Sequence, residues 1–183
     1  MPTHEEVLRA VRETGDVELA DWVQAPEDYS LRPVDIEGVV THDVFRVMPK
    51  HLSHPVSFYV AARPGGGAVV TSGNAAGVGE LVRTEPGLLQ GPKAAARLLE
   101  LWCDAADACT LIEDGATLAG LPAELSLQVL PSLVERAGSG WRVQMHVLDD
   151  AGQLQRWRLD VPAEGRPIAT RDTLATGISR VRP

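Results

Sequence analysis

The chain has 183 residues and carries 17 basic against 25 acidic side chains, a formal net charge of −8 at neutral pH. An acidic surface of that kind repels a phosphate backbone, so nucleic acid is excluded as the default partner. Hydrophobic residues make up 44% and charged residues 23%, a balance that excludes a disordered chain and fits one domain of this length.

The N-terminus reads first as a helix. Thr3 is a cap with Glu6 as its capping-box partner, Val7, Leu8 and Val11 form an apolar stripe, and Gly15 ends it. The stretch has no apolar core of the kind a secretory signal needs, and no apolar run in the chain is long enough to span a bilayer. A second short helical turn, DVELADWVQ, brings Leu19, Trp22 and Val23 to one side before Pro26 stops it. EDYSLRP reads as a loop, and DIEGVVTHDVFRVMP, rich in β-branched residues, as a strand ending at Pro49. VSFYVAAR is apolar on both faces and is expected to be a central strand.

The segment RPGGGAVVTSGNAAGVG concentrates six glycines. Its spacing predicts a hairpin turn at 63–67, then a helix opened by Ser72 or Asn74. A dinucleotide loop would need a third glycine where Val70 stands and a helix, not a strand, directly after the turn. A P-loop would need a lysine, and none lies between Lys50 and Lys93. No cofactor is expected.

GPKAAARLLELWCDAADA is the clearest helix, with Leu98, Leu99, Trp102 and Cys103 at helical spacing. A short strand at CTLIE and a helical turn after Pro122 follow. SLVERAGSGWRVQMHVLDDAGQLQRWRLDV reads as a three-stranded antiparallel meander. A three-residue turn, Asp150-Ala151-Gly152, places Met145 opposite Trp157, Val143 opposite Leu159 and Trp141 opposite Val161, so that apolar residues share one face. His146, Gln144 and Arg142, opposite Arg156, Arg158 and Asp160, then share a face expected to be solvated. The last stretch carries Arg166, Arg171, Arg180 and Arg182 against Asp172 and reads as a surface helix and tail.

The whole predicts a single α+β domain, 1–183, with antiparallel sheet packed against helices on one side. The order helix, strands, helix recurs, which admits two similar halves, 1–88 and 89–183, though no residue-level repeat accompanies it. Scarce lysine with frequent Ala, Gly and Arg points to a GC-rich bacterial genome. Cys103 and Cys109, six positions apart, match no metal template, and both are expected as free thiols in a reducing cytoplasm.

Chemistry is sparse. His42, Asp43, His51 and His54 form the one histidine-rich group, with His146 apart from it; these are the candidate catalytic residues. HLSH is no established metal spacing, and two of the histidines sit in a proline-bounded connector, so no metal is expected. No Gly-x-Ser-x-Gly elbow occurs. Two classes follow. The first is a non-catalytic binding or adaptor protein, chaperone-like or immunity-like, that binds another protein or itself. The second is a small enzyme or small-molecule binder with a pocket between sheet and helices. A flat apolar patch at a sheet edge or helix face favours the first, and a deep pocket lined by two or more of these residues the second.

Overall fold

The computed structural model describes residues 1–51, 56–105 and 108–181. Its class is α+β, with antiparallel sheets and helices. Helix α1 (His4–Thr14) starts with the full capping box: Glu6 N donates to Thr3 Oγ1 at 3.3 Å, and Thr3 N donates to the Glu6 carboxylate at 2.8 Å. Gly15 closes it in the left-handed conformation. Helix α2 (Val17–Asp21) is capped by Asp16.

The first sheet is a meander of β1 (Tyr29–Val34), β2 (Asp43–Pro49), β3 (Phe58–Ala62) and β4 (Ala68–Val70), paired in that order. Every residue of β3 is buried because both its faces are covered. Tyr29, Val47, Phe58, Val60 and Val70 face α1 and α2, while Val44, Tyr59 and Ala61 face the molecular centre.

Two expectations fail here. Residues 29–34 are a strand, not a loop; Pro33 is tolerated because β1 is an edge, where a missing N–H breaks no ladder. Conversely, only the second half of 35–49 is strand. The N–H groups of Val40 and Thr41 donate to the Glu85 carboxylate instead of to a neighbouring strand, which holds that stretch as a loop.

Helices α3 (Ala75–Thr84) and α4 (Ala94–Trp102) form the next layer. The glycine turn behaves as expected: Arg63 N donates to Gly67 O at 3.0 Å, closing the β3–β4 hairpin, and Asn74 Oδ1 accepts from Ala76 N at 3.1 Å to cap α3. A β-carbon at Gly77 would collide with the Val70 carbonyl, and one at Gly79 with the Pro167 ring. These two glycines therefore let α3 lie close to both sheets at once.

The second sheet contains β5 (Cys109–Ile112), β7 (Leu133–Ala137), β8 (Gly140–Asp149), β9 (Leu154–Val161) and β10 (Ile168–Ala175). β9 separates β10 from β8, and the far edge of β8 is shared by β7 along its first half and β5 along its second. Two short strands, β6 (Leu118–Ala119) and β11 (Ser179–Arg180), pair with each other, and a single helical turn, α5 (Ala123–Ser126), follows Pro122. Val143, Met145, Val147, Trp157, Leu159 and Val161 meet α3 and α4 in one continuous core that reaches through to the first sheet. Trp102 of α4 stands edge-on to Trp157, ring centroids 5.0 Å apart.

The β8–β9 register is the one derived from alternation. Met145 pairs with Trp157, Val143 with Leu159 and Trp141 with Val161, and Gly152 takes φ +76° in the turn. The opposite face departs from expectation. Arg142 pairs with Asp160 in the open, but His146 is only 2% exposed. The segment carrying β6 and α5 folds over this end of the sheet, where Ile112, Leu118, Val129, Leu148, Leu154 and Ile178 form a small separate core. The C-terminal helix expected after Thr170 is also corrected: 168–175 is strand β10, paired to β9 with a register shift between Thr173 and Ala175. Arg182 lies outside the described residues.

Trp157→Ala removes a buried indole and is expected to cost roughly 3–5 kcal/mol of unfolding free energy in urea titration. Arg158→Ala, one residue along on the outer face, is expected to change it by no more than about 0.5 kcal/mol. Equal effects of the two would contradict the register.

Candidate functional site

The five candidate residues are dispersed. His42 is buried between the first sheet and the end of α3. Its Nδ1 lies 2.8 Å from Glu85 Oε1, and its Nε2 accepts from Arg63 Nε at 3.0 Å. A guanidinium only donates, so Nε2 carries the lone pair and Nδ1–H donates to Glu85. Both ring nitrogens are thus engaged. Arg63 also reaches Glu80 Oε1 at 3.2 Å.

Glu85 is fully buried. Burial alone would push its carboxyl up. Hydrogen bonds from the Thr41 hydroxyl, His42 and the N–H groups of Val40 and Thr41 outweigh that and hold it at about 2. The cluster pins the 39–42 loop to the C-terminal end of α3. Asp43, next in the chain, is exposed at the start of β2. His51 pairs with Asp28 at 3.2 Å on the surface. His54 lies outside the described residues.

His146 is on the second sheet, where its Nδ1–H donates to Leu130 O at 3.2 Å and anchors the covering segment. Burial pushes its pKa down, with Arg156 adding to the effect; the Leu130 carbonyl and Glu113 oppose it. Among the described residues, no three of His, Cys, Asp and Glu gather as a metal site.

Open clefts lie elsewhere, and sequence reasoning passed over them. Two clefts, each about 410 Å³, share Asp104 and Ala105. One runs from Trp22, Thr14 and Asp16 past Ser72, Gly73 and Asn74. The other continues over Trp157 and Arg171 to Asp149, Asp150 and Gln155. Side by side, they make a grooved surface across the N-terminal end of α3 and the edge of the second sheet.

One wall of the groove is a disulfide between Cys103 and Cys109, Cα atoms 6.1 Å apart. Both cysteines were expected as free thiols. Cys103 is the C-terminal cap of α4 and Cys109 opens β5, and the placement of these two elements sets the cysteines at bonding separation. A spacing of six residues does not by itself fix that placement.

The floor is ordered by a relay of hydrogen bonds. Trp157 Nε1 donates to Gln155 Oε1 at 2.7 Å, and Gln155 Nε2 donates to Asp149 Oδ2 at 3.2 Å. Asp149 Oδ1 also accepts from Gln153 N at 2.8 Å. Arg171 lies over the Trp157 ring, 3.9 Å from its centroid, and its Nη1 donates to both oxygens of Asp104 at 2.7 and 3.0 Å. Alternation offered one usable signal: Arg171 sits across from Trp157 once β10 is recognised as a strand.

No protein-family model, no curated protein and no solved structure matches this chain.

The two perturbed buried groups set a pH dependence. Glu85 titrates lower in the folded state than its ordinary 4.5. Its contribution is therefore complete above about pH 4.5 and is lost as pH falls towards 2, a loss on the order of 3 kcal/mol. His146 is also lowered when folded, so its contribution is complete above about 6.5 and declines below that. Chemical denaturation from pH 8 to 3 is expected to show both declines. Glu85→Gln should flatten the acid one and lower stability at pH 7, and His146→Gln should remove the one near neutrality. An unchanged acid profile in Glu85→Gln would contradict the hydrogen-bonded carboxylate.

Proposed function

We propose that this chain is a non-catalytic binding protein that engages a protein partner along the groove around Asp104. The observation that carries this is that two clefts adjoin each other, with Asp104 and Ala105 lining both. A surface that runs from α1 and α2 to the second sheet suits an extended chain better than a compact substrate. Fixed walls support the same view, because the disulfide and the Trp157–Gln155–Asp149 relay leave little to be ordered on binding. Leu127 and Leu130 on the covering segment and Leu133 at the start of β7 are exposed and add a second apolar surface of the kind protein partners use.

A second reading, a small-molecule binder, is favoured by volume: about 410 Å³ lies in the range of small-ligand pockets. An enzyme acting through His42 would first have to free Nε2 from Arg63. No helix among the described residues is long and apolar enough to cross a membrane. A bacterial source remains the proposal from composition. A cytoplasmic location is likewise a proposal, and the Cys103–Cys109 disulfide runs against it, since disulfides persist chiefly in oxidising compartments.

A photo-crosslinking residue at position 105 is expected to trap one discrete protein in the source cell, whereas the same residue at exposed Glu164 traps none. Failure to trap at 105, with a small molecule co-purifying in native mass spectrometry, would select the second reading instead.

A further inference from the structure

We infer that the chain has a second binding site, for a small organic carboxylate, in the cavity between the end of α3 and the start of β8, where Arg83 and Arg136 supply the counter-charge and Trp141, Pro86 and Pro162 an apolar wall. The site is separate from the groove, and the inference does not rest on the protein-binding reading above.

Charge complementarity is the first support. The chain carries a net charge of −8, yet this cavity of about 190 Å³ is lined by two arginines and by no acidic residue. Among the described residues neither guanidinium makes an ion pair. The strand register explains why. Arg136 pairs with Trp141, on the face of the sheet that also carries Val134 and Val143. The adjacent acid, Glu135, is turned to the other face, where it lies 3.8 Å from Arg142. Two like charges at one opening, with the neighbouring acid directed away, leave a positive rim that an anion neutralises.

The second support is that both cations are held in place without being neutralised. Arg83 Nε donates to Pro162 O at 3.0 Å and its Nη2 donates to Gly165 O, which leaves Nη1 without a partner among the described residues. Arg136 lies over the Trp141 ring, 4.2 Å from its centroid, and makes no hydrogen bond among the described residues. Positioned guanidinium donors lose little freedom when a carboxylate enters, and their hydrogen bonds to it are charge-assisted.

The third is the shape of the cavity. Gly140 opens β8 and lines the floor, and a β-carbon there would stand 2.2 Å from Val161 O, so glycine is what lets the β7–β8 turn approach the end of β9. Val82 and Val161 add to the apolar wall opposite the charged rim. The volume lies below the range of drug-sized pockets, which favours a small acid with a compact apolar body over a nucleotide.

The test is calorimetric titration of the whole chain at low salt with benzoate, benzamide, acetate and inorganic phosphate. Benzoate is expected to bind. Benzamide, which has the ring without the charge, and acetate, which has the charge without the ring, are expected to bind at least tenfold more weakly. Arg136→Gln, at an exposed position, is expected to weaken benzoate binding about tenfold, and Arg136→Lys, which keeps the charge, no more than about threefold. Arg9→Gln removes the same charge from α1 and is expected to leave affinity within about twofold. Equal affinity for benzoate and benzamide would overturn the inference, because the arginines would then recognise nothing. So would equal losses in Arg136→Gln and Arg9→Gln, which would mean attraction to overall charge. Phosphate binding as tightly as benzoate would also overturn it, since a bare oxyanion site has no use for the apolar wall. If benzoate does not bind, the inference falls and the reading of the groove is untouched.

Discussion

Helix α3 lies against both sheets, and much of the molecule is organised by that contact. Gly77 permits it against the Val70 carbonyl and Gly79 against Pro167. In an exposed helix two glycines cost roughly a kcal/mol each relative to alanine. Here a methyl group would force the helix away from one sheet or the other, so the propensity cost is outweighed by burial of Val78, Leu81 and Val82.

The two ends of the same helix position the two polar regions. At the N-terminal end, Asn74 caps the helix and its Nδ2 donates to Val70 O at 2.9 Å, fixing Ser72–Asn74 as the middle of the groove. At the C-terminal end, Glu85 gathers Val40, Thr41 and His42, and through His42 the hairpin arginine Arg63. The second cluster is an internal brace. Each of its strong donors and acceptors faces another protein group, which stabilises a loop and leaves no ring nitrogen facing solvent chemistry.

The groove differs in kind. Its acids are exposed or half-buried, its aromatic floor is rigid, and its single base is held aside on Trp157 by Asp104. The disulfide contributes by tying the end of α4 to the start of β5, so the wall of the cleft over Trp157 follows the core on one side and the sheet on the other.

Local chemistry was legible in the chain. The Thr3–Glu6 capping box, the glycine hairpin before α3, and the β8–β9 register with Gly152 in its turn each depend on residues a few positions apart, or on two-residue alternation that survives in any context. What escaped depends on segments meeting across the fold. Residues 35–42 read as strand because of their β-branched side chains, but a carboxylate 44 and 45 residues away took Thr41 and Val40 out of the ladder. His146 read as solvated because alternation assigns a face and not what covers it, and the cover comes from residues 115–130. The free-thiol expectation failed because six residues of spacing leave the Cys103–Cys109 distance undetermined until α4 and β5 are placed. The groove was hidden for the same reason: Trp22, Asp104, Asp149 and Arg171 belong to four separate segments, and only their packing against α3 and the second sheet makes them neighbours.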